Sequence, residues 1–381
     1  MIDTIILSIP KDKIISIDMT ANGVDPWDLH SKYQGYEKYI RNASNKDKES
    51  GLYFPRLTGI KRNFGKQGKL DQSVKIEFSA PKLLYLNNLD ELEEKDFGQI
   101  ISALENRLRR MGVIVSEQTL KEASVSAVHY SKNVILANGY TCQYVLSELG
   151  KINLNKRFDL TRARYMNDGQ SIALYTISHS LVFYDKIADI AKPEKRAIDK
   201  EQNPFQYSLF SQLNKKAEIL RLEIRLSKKQ KLNSLFEKLG YQKNPTFEDV
   251  FRIDKSLAVI KHYWSTMIKD SAVSLFAFSP TTKDLLKQIL LADKTLKLKQ
   301  VLYFVGLIQV AKEGNGMRET RAILAKYSDD RSWYRAVKDY REINSKLANI
   351  KPRDWLDQVE RQLADYIPYR LSTSQDLPCK E

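Results

Sequence analysis

The stretch Ile219-Leu220-Arg221-Leu222-Glu223-Ile224-Arg225-Leu226 alternates between apolar and charged side chains almost without exception. Successive side chains of a β-strand point to opposite faces of its sheet. The alternation therefore predicts a half-buried strand with one face in a hydrophobic core. The other face would carry Arg221, Glu223 and Arg225, so a row of charged groups is expected on a polar sheet surface.

Other segments extend this prediction along the chain. Ile172–Ile177 and Leu181–Lys186 flank Ser178-His179-Ser180 and predict a β-hairpin with a three-residue loop. Ser73–Ser79 alternates as well, and the apolar stripe of Asp96–Met111 predicts an amphipathic helix. Strands paired through hairpins, with helices between them, predict an α+β fold with a mainly antiparallel sheet.

The pattern changes near Gly240–Pro245, where Gly, Asn and Pro cluster, and becomes almost entirely helical. We expect one domain over residues 1–240 and a helical domain over 245–381. Within the second, a helix at 317–327, a short turn and a helix at 331–348 predict a helix-turn-helix. The second of these helices carries a basic stripe of Arg331, Arg335 and Lys338. Any pair of helices with a solvated basic face has the same pattern.

Charge points to a polyanionic partner. Among 381 residues, Lys and Arg number 62 and Asp and Glu number 47, a formal net charge of +15. Such a surplus favours nucleic acid, although a basic, well-solvated surface is the alternative. The glycine-containing stretch Arg56–Lys82 is predicted to be a flexible basic loop that enters a strand. Its Arg62, Lys66 and Lys69 would follow a phosphate backbone. Arg221 and Arg225, on the charged face of the strand at 219–226, are predicted DNA contacts as well.

Several classes of protein are disfavoured. Cys142 and Cys379 are the two cysteines, without paired metal spacing, which argues against a disulfide scaffold and a cysteine zinc site. The longest strongly apolar stretch, Val301–Ile308, is far shorter than the roughly 18–20 residues of a membrane span. No secretion leader and no ATP-type phosphate loop is recognised. We expect a cytoplasmic protein without a membrane partner.

Polar groups on the predicted strands suggest phosphodiester chemistry. Glu77, His129 and Glu223 could converge into a nitrogen and oxygen site for Mg²⁺ or Mn²⁺. Tyr184 and Lys186, two apart on one strand, would share a face. A tyrosine beside a metal can attack a phosphodiester, while a lysine favours the phenolate and offsets charge in the transition state.

Each of these groups also has a purely structural interpretation. A histidine on an apolar strand is often a hydrogen-bonded core residue, and the charged row could form cross-strand ion pairs. Tyr184 is one of 20 tyrosines, so its spacing alone carries little weight.

The segments occur in a recognisable order. They are Met1–Pro10, Val74–Leu84 with Asn87, Asn88 and Leu89, Ser124–Asn133, Leu181–Lys186, Leu220–Arg225 and, more loosely, Arg331–Arg335. Across residues 1–230 their order and approximate spacing resemble those of the filamentous-phage gene II replication proteins and their phage and plasmid relatives.

The resemblance implies a rolling-circle replication initiator with a nickase-like α+β domain, acting in a bacterial host cell. Such a protein nicks one strand of supercoiled origin DNA with Mg²⁺ or a similar ion, and stays attached through a 5′-phosphotyrosine. It leaves a 3′-hydroxyl primer and later rejoins the displaced single strand. Host helicase and polymerase are candidate partners.

Motif matching carries the family's nucleophile onto Tyr184, with Lys186 two residues on, and its acids onto Glu77 and Glu223. The chain departs from the family at Ser126-Ala127-Val128-His129, where Ser-Arg-Ile-Asp is common. His129 is retained as a metal ligand, and Tyr165 and Tyr175 are the fallback nucleophiles.

Two other functions remain open at this stage. A non-catalytic DNA-binding regulator of replication or copy number would bind DNA in a salt-sensitive way without metal-dependent cutting. A related nickase for plasmid mobilisation or transposition would share the chemistry and differ only in its host DNA.

Overall fold

The structure is a computed structural model. It describes residues 1–17, 36–44, 49–64, 69–150, 163–166, 170–190, 217–269, 281–312, 317–327, 329–347 and 354–371.

A single antiparallel sheet organises the molecule. Nine of the described strands lie in the order β3-β4-β5-β1-β7-β11-β10-β9-β8, and β2 pairs separately with β6. Each neighbouring pair in the large sheet is antiparallel, so the predicted α+β fold is confirmed. The strands are β1 (Ile2–Pro10), β2 (Ser16–Ile17), β3 (Tyr36–Arg41), β4 (Arg56–Phe64), β5 (Lys69–Ser79), β6 (Val113–Ile114), β7 (Ser124–Leu136), β8 (Ala163–Met166), β9 (Ser171–Tyr175), β10 (His179–Asp185) and β11 (Glu218–Leu226).

Helices connect the strands and continue after them. They are α1 (Ala80–Tyr85), α2 (Phe97–Arg110), α3 (Glu117–Lys121), α4 (Cys142–Gly150), α5 (Lys186–Ile190), α6 (Lys229–Lys238), α7 (Phe247–Val250), α8 (Ile253–Tyr263), α9 (Thr282–Ala292), α10 (Leu298–Lys312), α11 (Met317–Leu324), α12 (Asp330–Leu347) and α13 (Asp354–Asp365). Trp264–Lys269 continues α8 as a π-helical segment. None of the described helices is both long enough and apolar enough to cross a bilayer.

One face of the sheet is hydrophobic and covered by helices. The even-numbered residues of β11, such as Leu222 and Ile224, are buried there together with Ile76 of β5. The predicted helix at 96–111 exists as α2, and its apolar stripe, including Ile101 and Leu104, packs into this core. Burial of these side chains supplies most of the driving force for the sheet to form.

The opposite face of the sheet is polar. In an antiparallel pair, directly opposed residues point to the same side. Tyr184 opposes Arg221, and Arg225 opposes His129, so these four groups share this face. One end of the face is covered by a small apolar cluster that includes Leu89, Ile187 of α5 and Tyr369. The charged centre of the sheet therefore lies beside an apolar cover.

Within Arg56–Lys82, the alternation at Ser73–Ser79 correctly locates the end of β5, but the flexible basic loop predicted before it is wrong for the described residues. Most of this stretch forms β4 and β5, an antiparallel pair in which Leu57 opposes Ile76 and Gly59 opposes Val74. Leu57, Val74 and Ile76 are fully buried, so the apolar residues between the lysines anchor both strands in the core.

The end of β7 and the helix α13 are tied together. Beyond Tyr130, β7 no longer pairs with β1. Gln362 donates to the carbonyl of Ile135 and accepts from its amide, at 2.7 and 2.9 Å, and Gln358 accepts from the amide of Ala137 at 2.8 Å. These side chains satisfy backbone groups that a further strand would otherwise bind.

The main core takes residues from both sides of the boundary expected at 240–245. Phe247 of α7, Val259 of α8 and Leu363 of α13 belong to the same cluster as the sheet. A second cluster is formed by α9, α10 and Trp333 of α12. The domain division itself stays a prediction of the sequence.

Candidate active site

Three neighbouring strands bring the predicted reactive side chains together. β11 lies between β7 and β10, so Glu223 and Arg225 are flanked by His129 on one side and Tyr184 on the other. We call Tyr184, Glu223, His129, Arg225 and Arg221 the Tyr184 cluster. The alternation that buries the even-numbered residues of β11 directs the odd-numbered ones into this cluster.

Glu223 is the centre of the Tyr184 cluster. The Tyr184 hydroxyl donates to its Oε2 at 3.2 Å. Arg225 donates through Nε to Oε1 at 2.9 Å and through Nη2 to Oε2 at 3.1 Å. His129 Nδ1 lies 3.5 Å from Oε1. The Glu223 side chain is 3% exposed, whereas those of His129 and Arg225 are 22% and 40% exposed, so a ligand would approach from their side.

The electrostatics of the pair Tyr184 and Glu223 are unequal. Burial alone would raise the pKa of Glu223, but Arg225 and His129 hold that pKa well below its ordinary range. Burial, and then the charge of Glu223, raise the pKa of Tyr184 well above its usual value. At neutral pH the tyrosine is therefore a protonated phenol that donates to a carboxylate.

Arg221 connects the Tyr184 cluster to neighbouring buried groups. It is fully buried and donates to the carbonyl of Asn88 at 2.6 Å and to Oγ of Ser131 at 3.2 Å. Its Nη1 also lies 3.5 Å from Oδ1 of Asp3, an oxygen without a hydrogen-bond partner among the described residues. Sequence reasoning gave Asp3, Asn88 and Ser131 no role, although all three lie within the motifs that carry the family resemblance.

Lys186 contacts Tyr184, but from a different element than the sequence predicts. It is not on the strand but is the first residue of α5. Its ammonium lies 5.6 Å from the centre of the Tyr184 ring, within the range of a cation–π contact. The Lys186 side chain is fully buried and donates to Asp189 at 3.2 Å.

The three predicted metal ligands do not all converge. Glu223 and His129 are adjacent, whereas Glu77 lies on β5, with β1 between it and β7. There Glu77 opposes Arg56 across the sheet and forms a 4.0 Å ion pair with it. The arrangement thus offers one carboxylate and one imidazole to a cation, and both oxygens of that carboxylate are already bonded to Arg225.

A second group of ligand-type side chains lies behind the Tyr184 cluster. Cys142, Asp185 and Glu218 place their sulfur and carboxylate oxygen atoms within 4.8 Å of one another, an arrangement that could hold a metal ion. We call these three residues the Cys142 group. They are separated by 43 and 33 positions in the sequence, so no spacing rule for paired cysteines could have found them.

The residues predicted to contact DNA differ in exposure. Arg221 is fully buried, so its predicted contact with DNA is not possible in this structure, whereas the Arg225 side chain is partly exposed at the Tyr184 cluster. Arg62 and Lys69 belong to β4 and β5 by their backbone, and Lys66 lies outside the described residues. The side chains of Arg331, Arg335 and Lys338 are exposed on α12, while Trp333 turns inward to the second core.

A groove beside the last residues of β1 and the first residues of β7 adds further basic groups to the surface. It has a volume of about 660 Å³ and is lined in part by Lys13, Lys75, Lys228 and Lys229.

Comparison of the chain with protein-family models, with curated proteins and with solved structures finds no match.

Proposed function

We propose that the protein nicks and rejoins DNA strands, with Tyr184 as the nucleophile. The observation that supports this most directly is the 3.2 Å hydrogen bond from the Tyr184 hydroxyl to the buried carboxylate of Glu223, on a polar face flanked by Arg225 and His129. A phenol with an adjacent proton acceptor and a cationic rim suits attack on a phosphodiester.

In the proposed reaction, the Tyr184 oxygen forms a bond to phosphorus and the bond from phosphorus to the 3′-oxygen breaks. The phenolic proton passes to Glu223, and the 3′-oxygen leaves as a hydroxyl after taking a proton from water. The product is a 5′-phosphotyrosine with a separate 3′-hydroxyl. Rejoining is the same step in reverse, because the phosphodiester energy is kept in the tyrosine link.

Arg225 couples substrate binding to this proton transfer. While it forms two hydrogen bonds with Glu223, it keeps the pKa of that carboxylate low and makes it a weak base. A phosphate is a competing bidentate partner for a guanidinium. When Arg225 turns to the phosphate, Glu223 loses its neutralising partner and becomes a stronger acceptor for the Tyr184 proton.

A divalent cation, Mg²⁺ or Mn²⁺, is part of the proposal. His129 and Glu223 are the residues that would hold it, and its chemistry would be to polarise the phosphate. Glu77 is not a neighbour of these two groups, and its part in binding the ion stays a prediction.

The biological role that we propose is initiation of rolling-circle replication. The ordered motifs, the net charge of +15 and the exposed basic side chains of α12 support origin DNA as the substrate. Host helicase and polymerase as partners, and the cytoplasm of a bacterial host as the location, belong to the same proposal. A mobilisation or transposition nickase would use the same site.

The test uses single-stranded oligonucleotides that carry a 3′ label and tile the replicon carrying the gene. The full chain is incubated with them and Mn²⁺ or Mg²⁺, then separated on denaturing gels. We expect a labelled protein band in the wild type and in Tyr175→Phe, and no band in Tyr184→Phe. Full labelling of Tyr184→Phe would contradict the proposal.

The second candidate, a DNA-binding regulator without catalysis, has one observation in its favour. Both oxygens of Glu223 are hydrogen-bonded to Arg225, which is also how a structural ion pair would look. On this alternative, tight binding to the same DNA would occur without any covalent band. Replacing Arg335 by Ala would reduce the slope of log affinity against log salt by about 1 if that side chain contacts phosphate.

A further inference from the structure

The Cys142 group lies at one end of β10 and β11, on the helix-covered face. Cys142 is the first residue of α4, Asp185 the last residue of β10, and Glu218 the first residue of β11. Their ligand atoms all lie within 4.8 Å of one another. Three separate elements thus each contribute one group that can bind a cation.

Hydrogen bonds from the backbone hold both carboxylates in place. The amide of Cys142 donates to Oε2 of Glu218 at 2.7 Å, and the amide of Ala188 donates to Oδ1 of Asp185 at 3.0 Å. Each of these bonds uses one oxygen. Carboxylates fixed in this way are oriented before a cation arrives, which lowers the cost of binding it.

Negative charges lie close to both Cys142 and Asp185. Burial raises the pKa of Cys142, and Asp185 and Glu218 raise it further. Burial likewise raises the pKa of Asp185, and the negative charges of Glu218 and Asp189 raise it further. The two carboxylates are partly buried, and like charges removed from water are costly unless they are neutralised by protons or by a metal.

Space for an ion and its water lies beside the group. A cavity of about 200 Å³ is lined by Asp185 and Glu218 together with Thr141, Gln143 and Gln170. All five lining side chains are polar, so the cavity suits a hydrated ion and not an apolar ligand.

We propose that the Cys142 group is a binding site for a borderline-soft divalent cation, Zn²⁺ being the best match. Zn²⁺ takes thiolate and carboxylate ligands in a four-coordinate arrangement, and three protein ligands leave one position for water from the cavity. A thiolate ligand disfavours Mg²⁺ and Ca²⁺. On binding, the sulfur–metal bond forms and the thiol proton leaves to solvent. The site is separate from the Tyr184 cluster and does not rest on the function proposed above.

Cobalt(II) provides the probe, because it replaces Zn²⁺ in thiolate sites and gives a sulfur-to-metal charge-transfer absorption. The full chain is freed of metal with a chelator and titrated with Co²⁺. We expect the absorption in the wild type at one equivalent, and its disappearance when Zn²⁺ is added. Cys379→Ser is the matched control and keeps the absorption, whereas Cys142→Ser loses it.

Because Cys142 is buried, Cys142→Ser could lose the absorption simply by failing to fold. A second pair of variants therefore tests the carboxylate ligands. Glu218→Gln and Asp185→Asn keep an oxygen that can accept the backbone hydrogen bond, so without metal each should unfold at a temperature no lower than that of the wild type. We expect each to weaken Co²⁺ binding at least tenfold. No absorption in the wild type, full absorption in Cys142→Ser, or unchanged affinity in both carboxylate variants would overturn the proposal.

Discussion

The two faces of the strand pair β10 and β11 place their acidic side chains in opposite electrostatic surroundings. Tyr184 and Asp185 are consecutive, so they point to opposite faces of the sheet. On one face, Glu223 is neutralised by Arg225 and neighboured by His129. On the other, the negative charges of Glu218 and Asp189 raise the pKa of Asp185. Arg225 supplies the counter-charge at the Tyr184 cluster, whereas at the Cys142 group the proposed cation would supply it.

The largest expected effect is on the DNA-nicking reaction proposed for the Tyr184 cluster. Glu223→Gln removes the proton acceptor of Tyr184 and the partner of Arg225. We expect the rate of covalent attachment to DNA to fall by about 10²–10⁴-fold, the usual contribution of general base catalysis. Single-turnover gel kinetics measure it, and Glu105→Gln, a substitution on the outer side of α2, serves as the control. A loss below tenfold would remove Glu223 from the reaction.

Stability should respond next most strongly, through Arg221. Arg221→Met leaves Asp3 uncompensated and takes the donors away from the carbonyl of Asn88 and the hydroxyl of Ser131. Breaking such a buried charge pair costs about 3–5 kcal/mol of the free energy of unfolding. Urea denaturation measures this cost. Arg109→Ala, which breaks an exposed pair with Glu105, should cost at most about 1 kcal/mol. Equal effects would show that Arg221 is not a structural anchor.

The smallest expected effect is on the pH dependence of stability, which should differ between the two faces of the sheet. Neutral Asn can replace Asp185 and still accept from Ala188, so we expect metal-free Asp185→Asn to gain on the order of 0.5 kcal/mol at neutral pH. The pKa of Asp185 is raised in the folded protein, so the wild type should regain this difference as the pH falls through that pKa. Urea unfolding of both proteins at several pH values measures the difference, and an advantage of the variant that grows with acid would contradict this explanation.

Glu223 should behave in the opposite sense. Its pKa is lowered in the folded protein, so its stabilising contribution is complete above the unfolded value of about 4.3. It is lost only as the pH falls further, through the lowered pKa. Comparing wild type with Glu223→Gln over the same acid range tests this, and a contribution that vanishes already near neutral pH would contradict it.

Sequence reasoning found the elements whose pattern is local. The strict alternation of β11 predicts that strand, because side-chain direction along a strand depends only on position. The two segments flanking Ser178 predict the hairpin of β9 and β10, but its loop is Thr176-Ile177-Ser178, since His179 and Ser180 already belong to β10. The alternation at 73–79 predicts the end of β5 correctly. The residues before it were mispredicted, since their glycines and lysines suggest a loop and only pairing with neighbouring strands reveals β4 and the start of β5. Strand formation there is a tertiary effect.

The candidate site divides in the same way. The order of the motifs predicts that Tyr184 and Glu223 belong to one site. Their hydrogen bond, however, depends on the register of β10 against β11. Local sequence patterns do not reveal the order of strands in a sheet. Glu77 was therefore assigned to the same site, although β1 lies between its strand and β7. The Cys142 group depends on three distant segments meeting at one end of the sheet, for which the sequence holds no local signal.

Mapping the residue that carries DNA tests the central claim most directly. The covalent complex formed with a single-stranded oligonucleotide and Mn²⁺ is digested with nuclease and protease, and the nucleotide-bearing peptide is sequenced by mass spectrometry. We predict a nucleotide linked through its 5′-phosphate to Tyr184. A nucleotide on Tyr175 or any other residue, or DNA binding without any adduct, would contradict the assignment of the Tyr184 cluster as the reaction centre.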